Sequence, residues 1–178
     1  LAGGADLVIE LPMPYAVRSA EFFAYGAVSL LDATGVVDSI SFGSEAGELD
    51  NLNEIASILA SEPGEFDHLI GKYLGQGLSY PQARTKALKD YIDRDNNDFS
   101  IDGQEVMELT SNPNNILGIE YLKAIHRLDS DLKPITIPRL KVGYHETNIT
   151  GKIASATAIR ETLWERYQEG EELIDDKL

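Results

Sequence analysis

Three observations predict an α/β fold built on a parallel sheet. Short apolar runs rich in Val and Ile stand at residues 5–11, 36–42 and 134–137, each bounded by Gly or Pro. Their length and β-branched content suit strands buried on both faces. Apolar residues at helical spacing fill the stretches between them. A strand, a helix and a second strand in succession make a βαβ unit, whose crossover is right-handed. With 178 residues the chain is long enough for one domain with a sizeable core.

Ala5 to Leu11 is the first predicted strand, ended by Pro12 and Pro14. Ser19 reads as an N-cap, and Phe23, Ala27, Leu30 and Leu31 recur at helical spacing as far as Gly35, a natural helix stop. Val36 to Phe42 is the second strand and leads into Gly43-Ser44-Glu45-Ala46-Gly47. Ligands of open α/β sheets lie beyond the carboxyl ends of the strands. Gly43 stands at such an end, where glycine lets a ligand approach the backbone closely. A plain turn glycine is the alternative.

Residues 48–92 read as two or three amphipathic helices. Leu49, Leu52, Ile55, Ala56 and Leu59 form one stripe, and Phe66, Leu69, Ile70, Tyr73 and Leu74 a second. Ser79 caps the third, with Pro81 early and Ala83, Ala87, Leu88 and Tyr91 on its apolar face. This helical insert, about residues 48–110, is expected to pack beside the sheet. Asp93, Asp95 and Asn97 have the one-three-five spacing of a calcium loop, but Asp98 replaces its glycine and Gln104 its bidentate Glu. An acidic connection is the better reading.

In Ser111 to Tyr121, Asn112 is biased away from helix by Pro113, which suits a first turn. Ile116, Ile119 and Leu122 make the apolar stripe, widened by Leu117, Tyr121 and Ile125. Asn114 and Asn115 are then expected exposed at the helix start. A carboxamide there could read a base edge or a ribose, or simply cap the helix.

Residues 134–137 give the last strand. Arg139 follows it, and its planar fork suits phosphate. His145 has no partner at metal-ligand spacing. Ser155 to Arg160 opens a final helix that continues through Leu163, Trp164 and Tyr167. A helix N-terminus favours phosphate, and Ser155, Thr157 and Arg160 add compatible groups.

The chain has 15 Lys and Arg against 30 Asp and Glu, a net charge of −15, and no cysteine. Disulfides, thiolate catalysis and thiolate zinc sites are thereby excluded. Such acidity leaves an RNA surface either a local basic patch or a place elsewhere. No run of about 18 apolar residues predicts a transmembrane helix, and a cytoplasmic location is expected.

Pro113-Asn114-Asn115-Ile116-Leu117-Gly118 resembles the signature of the bacterial tRNA(Met) cytidine acetate ligases, of the HIGH-motif nucleotidyltransferase-like superfamily. Four more stretches match in the family's order. They are Ala5 to Pro12 with Ser19 to Ala24, Ser41 to Glu45, Arg139 with Gly143-Tyr144-His145, and Ile153 to Arg160 in the manner of a phosphate-binding ISxTxxR stretch. The resemblance implies a single Rossmann-like nucleotidyltransferase domain over 1–178, with a parallel sheet, a helical insert and the N-terminal strand missing. Family members are longer and open with a histidine-containing phosphate motif that this sequence does not show, so the chain is expected to be a fragment, silent by itself. The implied activity is ATP-dependent, with Mg2+: acetate is activated as acetyl-adenylate, and the wobble cytidine of elongator tRNA(Met) is acetylated. The implied ATP-binding residues are Gly43, Asn114, Arg139, Ser155, Thr157 and Arg160; no catalytic residue and no resident metal are assigned. Two other readings stay open. One is a nucleotidyltransferase making a cofactor from ATP. The other is a non-enzymatic acidic module, binding calcium through Asp93 to Asp98.

Overall fold

The structure is a computed structural model and describes residues 4–94, 99–138 and 156–168. The chain divides into two compact units, Leu1–Arg139 and Leu140–Leu178. In the first, α1 (Met13–Ala16) and α2 (Ala20–Ala33) precede strand β1 (Ser39–Ser44). Five helices follow: α3 (Asp50–Ser61), α4 (Gly64–Gly75), α5 (Tyr80–Ile92), α6 (Gly103–Leu109) and α7 (Pro113–Leu128). Strand β2 (Lys133–Pro138) closes this unit, and α8 (Ala156–Gln168) is the described element of the second.

β1 and β2 pair in parallel, from Ser39 against Lys133 to Ser44 against Pro138. The sheet is therefore parallel, as the apolar runs predict. The strands differ from expectation in their number and in where one begins. Residues 5–11 are not a strand, and the crossover that joins the two paired strands is the whole helical stretch from α3 to α7. Leu7 and Val8 are 74% and 71% exposed. An apolar run becomes a strand only where a neighbouring backbone takes its N–H and C=O groups. Among the described residues the two strands pair with each other and neither pairs with residues 5–11. The second strand also starts later than its apolar run, at Ser39, and runs through Gly43 to Ser44.

The helical insert follows its apolar stripes. Leu52, Ile55, Ala56, Ile58 and Leu59 of α3, Phe66, Leu69 and Ile70 of α4, and Ala87, Leu88 and Ile92 of α5 form one core with Ile119 and Leu122 of α7. A second, smaller core joins Val28 of α2 and Ile40 of β1 to Ala124 and Ile125 of α7. α7 thus separates the insert from the sheet and packs on both. Its close approach to β1 is set at Gly118, where a Cβ would stand 2.9 Å from the Phe42 ring.

Local signals place the helix starts. Gln82 accepts the Ser79 N–H at 3.1 Å at the start of α5. α6, absent from the sequence reading, begins with a capping box. Asp102 accepts from Gln104 and Glu105 N–H at 2.8 and 2.9 Å, and Glu105 accepts in return from Asp102 N–H at 3.2 Å. Asp93 is engaged by Gly103 N–H at 2.7 Å and by Lys89. The calcium-loop residues Asp95, Asn97 and Asp98 lie outside the described residues.

Candidate functional site

β1 ends at Ser44, and the loop after it meets the first turn of α7. Pro113 stands at N1 behind an extended Asn112, as the sequence requires. The first N–H groups of any helix have no partner within it. Here the acceptor comes from far along the chain. Glu45 Oε2 takes the Asn115 N–H at 2.8 Å, and its Oε1 takes the Asn114 side-chain Nδ2 at 2.7 Å and the Asn114 N–H at 3.3 Å. Asn115 answers by accepting the Ala46 N–H on its Oδ1 at 3.0 Å. The strand end is braced from within: Ser44 and Thr136 hydroxyls are 2.7 Å apart, and Ser44 Oγ accepts the Gly47 N–H at 2.9 Å.

Sequence does not separate the two Asn residues, and the structure does. Sequence sets them side by side and exposed, as a recognition pair or as caps. Asn115 is buried, 1% exposed, and ties the loop. Asn114 is half-buried and its side chain caps nothing. The cap is the Glu45 carboxylate, which is worth more at a positive helix end than a neutral side chain.

Gly43 is exposed inside the last turn of β1. Among the described residues a Cβ there would meet only the Ile137 carbonyl oxygen, at 3.9 Å. Packing among the described residues therefore does not demand glycine at 43. Behind it Phe42 stacks at a tilt on Tyr121, centroids 5.5 Å apart. Burial raises the Tyr121 phenol above its usual pKa, which keeps it protonated.

A sequence model of the family described as HIGH Nucleotidyl Transferase matches residues 1–177. The chain belongs to the HIGH Nucleotidyl Transferase family. It is 50% identical over 167 residues to a tRNA(Met) cytidine acetate ligase of Halothermothrix orenii, covering 93% of this chain and 39% of that protein. It is 47% identical over 162 residues to the protein of that name in Alkaliphilus metalliredigens, covering 90% of this chain and 38% of that protein. Crystal structures of Thermotoga maritima TmcAL superpose on it. The apo form gives a TM-score of 0.86 at 37% identity over 95% of this chain and 39% of that one. The form bound with alpha-thio ATP gives 0.82 at 36% identity, over 96% and 38%. The chain thus spans about two fifths of the length of the relatives it matches.

Of the six expected site residues, Asn114 is held by the Glu45 carboxylate, and Gly43 lies two residues before that Glu on β1. Arg139 and Ser155 lie outside the described residues, as do Gly143-Tyr144-His145. Thr157 belongs to α8, its side chain outside what is described. Arg160 is exposed on α8 in the second unit. Sequence reasoning missed Glu45 and Asn115 as the clasp. The one available signal was Glu45's place in the matched Ser41 to Glu45 stretch.

Proposed function

We propose that the chain is the ATP-binding part of an ATP-dependent tRNA(Met) cytidine acetate ligase, acting in the cytoplasm. The observation that carries this is the Glu45 carboxylate holding the Asn114 amide just after the exposed Gly43 at the end of β1, in a chain 50% identical to a ligase of that name. Gly43 lets the nucleotide lie on the strand end, and Asn114 meets its nucleoside. Arg139, Ser155, Thr157 and Arg160 are assigned to the phosphates, where cations and a helix start neutralise charge.

In the reaction an acetate oxygen attacks the α-phosphorus and the bond to the bridging oxygen of the β-phosphate breaks, releasing pyrophosphate. The cytidine N4 amine then attacks the acetyl carbon, AMP leaves and N4 loses a proton. Such chemistry needs positioning and charge stabilisation more than a protein nucleophile. Magnesium would travel with the triphosphate. Among the described residues no three His, Asp or Glu side chains converge into a metal site, and no role is derived for one. Also among the described residues, no helix is long and apolar enough to cross a membrane.

The test is incubation with ATP, acetate and elongator tRNA(Met), with full-length Thermotoga maritima TmcAL as reference. N4-acetylcytidine is read by nucleoside mass spectrometry, and acetyl-adenylate in reactions without tRNA. Adenylate is expected from the full-length protein that contains this sequence, and none from the 178-residue chain alone. A dinucleotide-type product formed from a phosphorylated small molecule would replace this reading by a cofactor-making nucleotidyltransferase. Arg160→Ala should slow adenylate formation by about tenfold or more, the loss of one charge-assisted phosphate contact.

A further inference from the structure

We propose that Glu45 is a positioning residue for nucleoside recognition, holding Asn114 so that its carbonyl oxygen faces the ligand as an acceptor. The proposal rests on the nucleotide reading above and deepens it. A carboxylate has no hydrogen to give. Against Glu45 Oε1 the Asn114 amide must therefore turn its Nδ2 inward, as the 2.7 Å bond shows. The reverse orientation would set two oxygens against each other. The carboxylate cannot swing away, because its other oxygen holds the Asn115 N–H at 2.8 Å. Asn115 is in turn fixed by burial and by its bond to Ala46 N–H. Asn114 Oδ1 is left with no bond to the protein among the described residues.

Two consequences follow for the ligand. The group meeting Asn114 must be a hydrogen-bond donor, either an exocyclic base amine or a ribose hydroxyl. It is not a phosphate, because Glu45 has already placed negative charge on the first turn of α7. A helix start that elsewhere attracts anions is here occupied by one of its own. The nucleotide is thereby directed, uncharged end toward Asn114 and triphosphate away from it.

The experiment is a double-mutant cycle on ATP affinity, by calorimetric titration, with Glu45→Gln, Asn114→Ala and the double variant. In the Glu45→Gln variant the new carboxamide keeps one oxygen for the Asn115 N–H and offers Asn114 an amide in place of the second. The Asn114 side chain is then free to turn over. Glu45→Gln is expected to weaken ATP binding about tenfold in the wild-type background and within about twofold in the Asn114→Ala background, since residues acting as a unit are not additive. An equal loss in both backgrounds would make Glu45 merely structural and overturn the proposal. So would unchanged affinity in the single variant. Inosine triphosphate, 2′-deoxy-ATP and 3′-deoxy-ATP tell the donors apart: one of them should bind about tenfold more weakly than ATP to the wild type. If all three match ATP, no donor meets Asn114 and the proposal fails. A measurement on the wild type alone guards against misfolded variants. One Asn114 side-chain amide proton should exchange with solvent much more slowly than its geminal partner; equal exchange would refute the clamp. A wild-type chain that shows the slowed proton yet binds no ATP would instead remove the nucleotide reading.

Discussion

The first turn of α7 and its middle turns both bury polar side chains, and they do so for different reasons. At the start, Asn115 is 1% exposed. In the middle, Glu120 and Lys123 are 3% and 5% exposed. The helix start has backbone N–H groups to satisfy, and the Glu45 loop satisfies them. The middle has none, so its charged side chains satisfy one another. Arg84 reaches Glu120 at 2.8 Å, Lys123 reaches Glu21 at 2.7 Å, and Arg127 bonds Glu21 at 3.1 Å and Glu62 at 2.6 Å. Glu120 Oε2 lies 3.2 Å from Lys123 Nζ but without hydrogen-bond geometry, so charge alone holds that contact. This ion cluster fastens α2, α5 and the end of α3 to α7. The clasp at the helix start leaves an amide turned outward. Burial of polar groups is common to both, and only the clasp has something to offer a ligand.

The largest effect expected is at the ion cluster. Glu120→Ala removes the partner of Arg84 and leaves Lys123 with Glu21 alone, and it should cost about 3 kcal/mol of stability in urea melts, the low end of the range for breaking a buried pair from one side. ATP affinity of the folded fraction should hold. A loss of affinity without a loss of stability would erase the contrast between the helix start and its middle. Asn115→Ala comes next, about 1–3 kcal/mol, because the Ala46 N–H loses its acceptor. Here stability and affinity should fall together, since the loop carrying Glu45 loosens. Asn114→Ala should lower the melting temperature little, about 1 kcal/mol or less, while weakening ATP about tenfold. Unchanged ATP affinity in that variant would return the outward amide to ordinary surface.

The smallest effect is a matter of pH. Lys123 holds the Glu21 carboxyl below its ordinary pKa of 4.5. Its folded value being the lower one, the contribution to stability is full above 4.5 and is lost as pH falls below it through the folded value. Glu21→Gln should therefore make the acid limb of a stability–pH curve shallower below that point. Glu21 is 40% exposed, so solvent screening keeps the change modest. An identical acid limb would show that Glu21 adds nothing to the fastening.

What could be read in the sequence follows the reach of each signal. The stripes of α3, α4, α5 and α7 are local and periodic, and they match the buried faces except at Leu74, which ends α4's stripe exposed. Pro113 and Gly35 mark ends by their own backbone chemistry and are legible too. Whether residues 5–11 pair as a strand depends on another backbone, which periodicity does not report. The two Asn residues look alike because sequence gives no direction in space. One turn step of α7 points Asn115 into the loop and leaves Asn114 at its rim. Nothing local in the sequence marks Glu120 and Lys123 as buried, since their partners Arg84 and Glu21 come from other helices. Asp102-x-x-Glu105 is a legible start for α6 that the calcium-loop comparison obscures.

The bond between Ser44 and Thr136 joins positions 92 apart in the chain, and that separation has a consequence in time. Closing so long a loop is entropically unfavourable until the chain between its ends has shortened itself. The helices of the insert make local contacts and can form before β1 has a neighbour. The strand end, and with it everything Glu45 arranges, is then the late event. Pulsed hydrogen exchange during refolding should find α3 and α5 amides protected before those of β1. During synthesis the same order holds for a plainer reason: β1 leaves the ribosome long before β2 is made, and it must wait, unpaired, for the strand that completes it.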